Sequence, residues 1–389
     1  MTVPQENYTT RFAHGMSEVD AAGWDALAAD LESPFFEWAW LKLLEDSGSA
    51  APGRGWFPSH LLVQADGRLV GGLPLYLKWH SEGEFVFDQL WGEAASRLGL
   101  PYYPRLVGAS PFTPATGLRI LSDPSVNQVR LSHQTFTAMD RFCHENAVHG
   151  AALLFTEPEL GAVAEDYGFT AWRHQSYLWR NQGYGSFDDF LATLNANRRK
   201  TIRRERAALA EAGITAEVVS GADIPDAFFP LMRELYEKTN TKFGPWGCRY
   251  LTDAFFEGLP AAFRRHLAFA AAYRRGRREP IALAMLAHKG DILFGRYWGA
   301  FEAVPFLHFE LCYYAPIAWA IDKGFSRYDP GMGGAHKARR GFQSVSSMSC
   351  HRFFDPRMDV IFRSHIDRVN FLEKSYIDEL NELVPTRRK

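Results

Sequence analysis

The stretch from residue 291 to 342, DILFGRYWGAFEAVPFLHFELCYYAPIAWAIDKGFSRYDPGMGGAHKARRGF, leaves few folds open. Residues 292–298 are apolar and β-prone, as a buried strand requires. Residues 309–320 read as an apolar helix lying on a sheet, with Pro316 inside it as a kink and Gly324 placed to stop it. Residues 325–329 supply the next strand, so the segment is predicted to be a right-handed strand–helix–strand crossover. Polar groups gather where these elements end: His308 and Glu310, then Asp329, then His336, Lys337, Arg339 and Arg340. Ligands of open α/β sheets collect just beyond the carboxyl ends of strands, which makes this the first place to look for chemistry.

A chain of 389 residues is long enough for two domains, and 47% hydrophobic with 14% aromatic residues excludes a disordered or fibrous protein. The formal charge of -2 gives no global argument for a nucleic-acid or membrane partner, and no DNA partner is expected. Cys143, Cys248, Cys312 and Cys350 are scattered without metal or disulfide spacing, which suits a reducing compartment. The opening MTVPQENYTTRFAHG lacks the features of a signal peptide, and no apolar run approaches the roughly 20 residues of a membrane span. A cytoplasmic protein is expected.

Along the chain, residues 20–29 and 37–45 read as helices, and 60–78 as a hairpin turning at 65–68. Asp88 is placed to cap a helix reaching Leu98. Two short strands are predicted within 101–121, a helix over 132–146, a strand over 151–155 and a helix over 159–167. A strand from residue 169, an N-terminal helix signature at 186–189 and one long basic helix from Phe190 to Gly213 follow. Further on come a strand at 214–219, helices at 225–238 and 252–257 flanking an aromatic loop at 243–250, and a second hairpin over 266–288. The hairpins beginning His60-Leu61 and His266-Leu267 occupy comparable places, so the chain reads as a duplicated α/β unit divided near residue 165, with domains 1–165 and 166–389.

Two helices, an antiparallel run, a crossover and a closing strand resemble the acyltransferase fold of the GNAT superfamily. Two copies in one chain resemble the Fem aminoacyltransferases, which extend peptidoglycan cross-bridges. LPYYPRL, PFTPATG, NRRKTIRRER and LHFELCYY…HKARRGF look like the FemAB-like family of bacterial proteins. The resemblance implies an α/β (α+β) chain of two tandem GNAT-like domains, each with a mixed, mainly antiparallel sheet flanked by helices. It implies transfer of an activated acyl group to a small-molecule amine, with acyl-coenzyme A or aminoacyl-tRNA as donor. The long helical arm of some Fem enzymes has no counterpart in the second half, which weakens transfer of tRNA dependence. The competing expectation is a non-catalytic protein that binds a peptidoglycan precursor or a phosphorylated ligand.

Acyl transfer to an amine needs a base and oxyanion stabilisation. His308, Glu310 and Asp329 are the candidate catalytic groups; helix capping and an Asp-Pro-Gly turn are the structural alternatives. Tyr297 and Trp298 at the end of a strand, with His336, Lys337, Arg339 and Arg340 after the glycines, are candidates for substrate binding. So are Tyr102, Tyr103, Arg105, Thr113 and Thr116 on Pro- and Gly-shaped turns, for which packing is the alternative. Arg199, Arg203 and Arg206 share a helical face suited to phosphate, or are merely solvated. Gln89-Leu90-Trp91-Gly92-Glu93-Ala94 matches the coenzyme-binding pattern of GNAT enzymes by letter, and Arg296-x-x-Gly299 begins it before Phe301 breaks it. The spacings of His308, Glu310, His336 and His351 fit no zinc motif, so no metal is expected. No cysteine or serine has a base beside it in sequence, which favours direct attack over a covalent intermediate.

Overall fold

The computed structural model describes residues 7–242, 244 and 247–386. The first residues of the chain, on which the reading of its start partly rests, and Phe243, Pro245 and Trp246 of the aromatic loop lie outside the described residues. Two compact units are formed. One gathers the chain up to Leu31, Phe35–His174 and Ser347–Glu373; the other gathers Glu32–Pro34, Gln175–Ser346 and the chain from Lys374 onward. The return of Ser347–Glu373 to the first unit has no sign in the sequence. No helix among the described residues is long and apolar enough to cross a membrane.

In the first unit the predicted hairpin is present as His60–Ala65 and Arg68–Leu73. Asp66 and Gly67 both take positive φ, 50° and 81°, the conformation that a tight two-residue hairpin demands. Tyr8–Ala13 and Leu121–Ser122 flank this hairpin in a four-stranded sheet. A second sheet sets Arg105–Gly108 parallel to Gly150–Leu153, with the helix Gln128–Glu145 between them in the chain. Cys350–Phe353 pairs antiparallel with Gly150–Leu153 on its other side.

Asp88 precedes the helix Gln89–Arg97 as expected, but its side chain does not cap it. Its Oδ2 accepts hydrogen bonds from Arg105 (2.6 Å) and the Tyr102 hydroxyl (2.9 Å), because a buried guanidinium needs a carboxylate more than a helix end needs a cap. Arg105 also donates to Nδ1 of His351 (3.1 Å). A guanidinium can only donate, so His351 carries its proton on Nε2 and gives it to Ser349 Oγ (2.7 Å). The Ser349 hydroxyl then donates to Nε2 of His174 (2.5 Å). Burial pushes the His174 ring down to about 4 and His351 well below its ordinary value, so both rings are neutral.

In the second unit Ile214–Ser220, Leu267–Arg274, Pro280–Lys289 and Ile292–Ala300 pair antiparallel in that order. Ile292–Phe294 then runs parallel to Arg327–Asp329, the crossover expected from the sequence. Ser186 caps its helix, accepting from the Asp189 amide at 3.1 Å. The long basic helix is divided, as Phe187–Thr193 and Ala196–Glu211. Leu194 is extended and buried, and the Asn195 side chain starts a new helix by accepting from the Arg198 amide (3.0 Å).

Replacing Asp88 with Ala strands a buried guanidinium and is expected to cost about 3–5 kcal/mol of stability. Tyr102→Phe, which removes one hydroxyl, should cost about 1 kcal/mol. Urea denaturation of both variants checks the order; equal losses would show that Asp88 is not the partner that matters.

Candidate functional site

The site is built from a bulge, a broken helix and a glycine turn, all in the second unit. Opposite Met285 and Leu286 the strand Ile292–Ala300 gains one residue: Met285 pairs with Tyr297 and Leu286 with Gly295, leaving Arg296 unmatched. Such a bulge bends its strand and re-aims its side chains. A Cβ on Gly295 would lie 3.0 Å from the Tyr328 hydroxyl and 3.2 Å from the backbone of Pro330, so a side chain there would press on both.

The predicted helix over 309–320 is not continuous. Leu307–Phe309 is α-helical, Glu310–Tyr314 widens into a π turn, and Ala315–Asp322 is α-helical again. Pro316 is the cause: it has no N–H for the carbonyl of Cys312, four residues earlier. The Tyr328 hydroxyl donates to that carbonyl instead, at 2.7 Å, and so ties the helix to the strand Arg327–Asp329. Single π turns of this kind are frequent at functional sites.

Between these elements lies a cavity of about 260 Å³, lined among others by Arg296, Tyr297, Trp298, His308, Tyr313 and Lys337. The His308 ring lies against Trp298, centroids 4.5 Å apart. Burial, then the neighbouring His336, Lys337 and Arg340, push it down to about 4, so it is a neutral imidazole. Lys337 is buried and donates to the carbonyls of Gly331 (2.6 Å) and Met332 (2.9 Å). Those carbonyls are within its reach because Gly331 and Gly333 take positive φ, both 78°. Burial pushes its ammonium down to about 8 against the attraction of Asp329. Asp329 is half-buried and accepts from the Gly331 amide at 2.8 Å. Desolvation pushes it up to about 6, opposed by that hydrogen bond and by Lys337 and Arg296. Tyr313 and His336 share a hydrogen bond of 2.9 Å across the same wall.

The remaining candidates are placed elsewhere. Glu310 is buried and held by two hydrogen bonds from Arg206, at 3.0 and 2.9 Å. Arg340 is buried between Glu205 and the Tyr314 hydroxyl, with its guanidinium 3.3 Å from the centre of the Phe309 ring. Arg339 is exposed. Arg203 pairs with Asp188 at 2.9 Å, and Arg199 donates to the Leu194 carbonyl at 2.5 Å. In the first unit, Tyr102 and Arg105 belong to the Asp88 network, Tyr103 packs edge-on against Tyr102, and Thr113 is buried and bonded to the Pro111 carbonyl (3.0 Å). Thr116 is exposed. Gln89–Ala94 lies within a helix, and its Gly92 amide is spent on the Asp88 carbonyl. Sequence reasoning missed Tyr328 and read Arg296 only as the start of a coenzyme pattern; the glycines of Gly295-Arg296-Tyr297-Trp298-Gly299 were the available sign of a bulge.

Among curated proteins none matches this chain. Solved structures do. FemX is 12% identical over 88% of this chain and 98% of its own, with a TM-score of 0.53. L-PGS from Bacillus licheniformis is 10% identical over 95% of this chain and 98% of its own, at 0.51. The C-terminal domain of a putative lysylphosphatidylglycerol synthetase from Agrobacterium fabrum is 11% identical over 90% of this chain and 97% of its own, at 0.53. At such identities the likeness is one of fold alone. The FemAB-like family model, described as peptidoglycan biosynthesis and recognition, matches residues 15–388. With nearly its whole length matched, the chain belongs to the FemAB-like family.

Proposed function

We propose that the protein transfers an activated acyl or aminoacyl group to an amine in the cavity of its second unit, as a step related to peptidoglycan. One observation carries the reading: a buried ammonium with fixed position, Lys337, and a neutral imidazole, His308, line one small cavity. Two of the three N–H groups of Lys337 are held by carbonyls. The third has no hydrogen-bond partner among the described residues and is available to stabilise the oxyanion that forms when the amine attacks the acyl carbon. His308 takes the proton that the attacking nitrogen sheds. That nitrogen becomes acidic only as its bond forms, so the base must be unprotonated rather than strong. The bond from acyl carbon to donor then breaks and the donor leaves with the electron pair. Asp329 balances the charge of Lys337. Cys312 also lines the cavity, but burial pushes its thiol far above neutral pH, which supports direct attack. A space of about 260 Å³ holds the reacting ends of two substrates and not the whole of either.

The experiment is mass spectrometry of a panel of amines incubated with acyl-coenzyme A and, separately, with aminoacyl-tRNA. Acylated product from one donor is expected and identifies it; product from neither overturns the reading. For the active donor, kcat/KM should require Asp329 ionised and Lys337 protonated. It should fall below about pH 6 and above about pH 8. Asp329→Asn should abolish the acid limb and Lys337→Arg should move the alkaline limb upward; limbs unchanged in both would remove these roles. His308→Gln should lower kcat about 100-fold with little change in KM. Glu310→Gln, which still accepts from Arg206, should cost about 1 kcal/mol of stability and leave kcat within about tenfold, measured by denaturation and steady-state kinetics.

A further inference from the structure

Lys337 is the only lysine among the described residues that line the cavity, and it forms part of the wall while buried from bulk water. An N–H that bonds to a carbonyl oxygen sets its nitrogen about 3.5 Å from the carbonyl carbon, close to a near-attack separation. The group placed to stabilise the oxyanion is thus also within reach of the acyl carbon. Its hydrogen bonds do not require the charged form. The carbonyls of Gly331 (2.6 Å) and Met332 (2.9 Å) use two N–H groups, and a neutral amine has two N–H groups and a lone pair. Losing the third proton therefore keeps both bonds and leaves the lone pair where that N–H stood.

The surroundings of Nζ set when that proton leaves. Burial lowers the ammonium to about 8, opposed by Asp329 and Cys312. His308 and His336 face it and are themselves pushed down, in part by Lys337. The Tyr177 ring lies 5.5 Å away, on the strand Thr170–Arg180, and Arg296 faces Asp329. Cys312 and Tyr313 line the same cavity, but burial pushes the thiol and the phenol far above neutral pH, so the amine is the better nucleophile there.

We propose that Lys337 is a self-acylation site, which takes the activated acyl group as a stable amide when no acceptor amine is bound. The inference rests on the acyl-transfer reading, since it needs the donor's acyl group in the cavity. The Nζ lone pair bonds to the acyl carbon, the bond from that carbon to the donor breaks, and the donor leaves with the electron pair. The proton shed by the nitrogen goes to His308. The approach lies near the plane of the carbonyl rather than over its face, so the reaction is slow beside transfer to a bound amine. An amide nitrogen has no charge and a single N–H, so the modified chain loses its oxyanion donor and one of its two holds on the glycine turn.

The test is intact-mass measurement and peptide mapping of the full-length protein incubated with acetyl-coenzyme A and, separately, with alanyl-tRNA, without acceptor amine. One added acyl group is expected, on Lys337, resistant to neutral hydroxylamine and absent from Lys337→Arg. It should form about tenfold faster at about pH 7.5 than at about pH 6.5, as the neutral fraction of the amine rises, and turnover should fall in step with it. The map is made on the wild-type chain, so the result stands whether or not the variant folds. Acylation of amines from the panel with Lys337 unmodified overturns this proposal and leaves the acyl-transfer reading in place. A hydroxylamine-labile adduct, on Cys312, Tyr313 or His308, also overturns it, as do adducts spread over exposed lysines with no excess at Lys337. Acylation of neither the amines nor the chain overturns both.

Discussion

The site depends on a carbonyl that its own helix cannot satisfy. Pro316 deprives Cys312 of its helical donor, and a buried carbonyl without a partner costs about 1–3 kcal/mol. The Tyr328 hydroxyl meets that need at 2.7 Å. The consequences spread outward: the helix widens into a π turn at Glu310–Tyr314, and His308 just before it is carried against Trp298. The strand that bears Tyr328 ends at Asp329, and its glycine turn wraps back onto Lys337. A regular helix would have left the strand end unanchored.

Around this joint the charges are arranged in closed sets. Glu205 takes Arg340 and Tyr314, Glu310 takes Arg206, and Lys337 takes two carbonyls. Buried pairs of this kind give little net stability, because desolvation offsets attraction, but losing either member is costly. Their service here is to hold side chains still. Preorganised dipoles and charges, which need not move as the reaction proceeds, are the largest single source of catalysis in acyl transfer.

Much of the fold was legible because it is written in local chemistry. Asp66-Gly67 dictates a hairpin, Ser186 a helix start, and the apolar run at 292–298 a strand, and each is found. The candidate site was legible as a place, since the turn at 329–337 did follow a strand end. Roles were less legible, for a consistent reason: they were decided by partners remote in sequence. Asp88 was drawn from capping to Arg105, and the basic helix was cut where Asn195 offered a better cap. Arg206 and Glu310 each looked free until they were found bonded to each other. Single residues advertise what they can do, whereas burial and neighbours decide what they do.

The pairing of Gly150–Leu153 with Cys350–Phe353 bears on how the chain is made. A ribosome emits the first strand long before its partner, so the nascent first unit waits with one sheet edge open while the whole second unit is synthesised. Sequence-distant pairings of this kind form slowly, and an open edge invites other strands. Yet Gly150–Leu153 is already covered on its other side by Arg105–Gly108, which emerges earlier. The first unit can therefore gather most of its core during translation and close last, once Ser347–Glu373 has emerged.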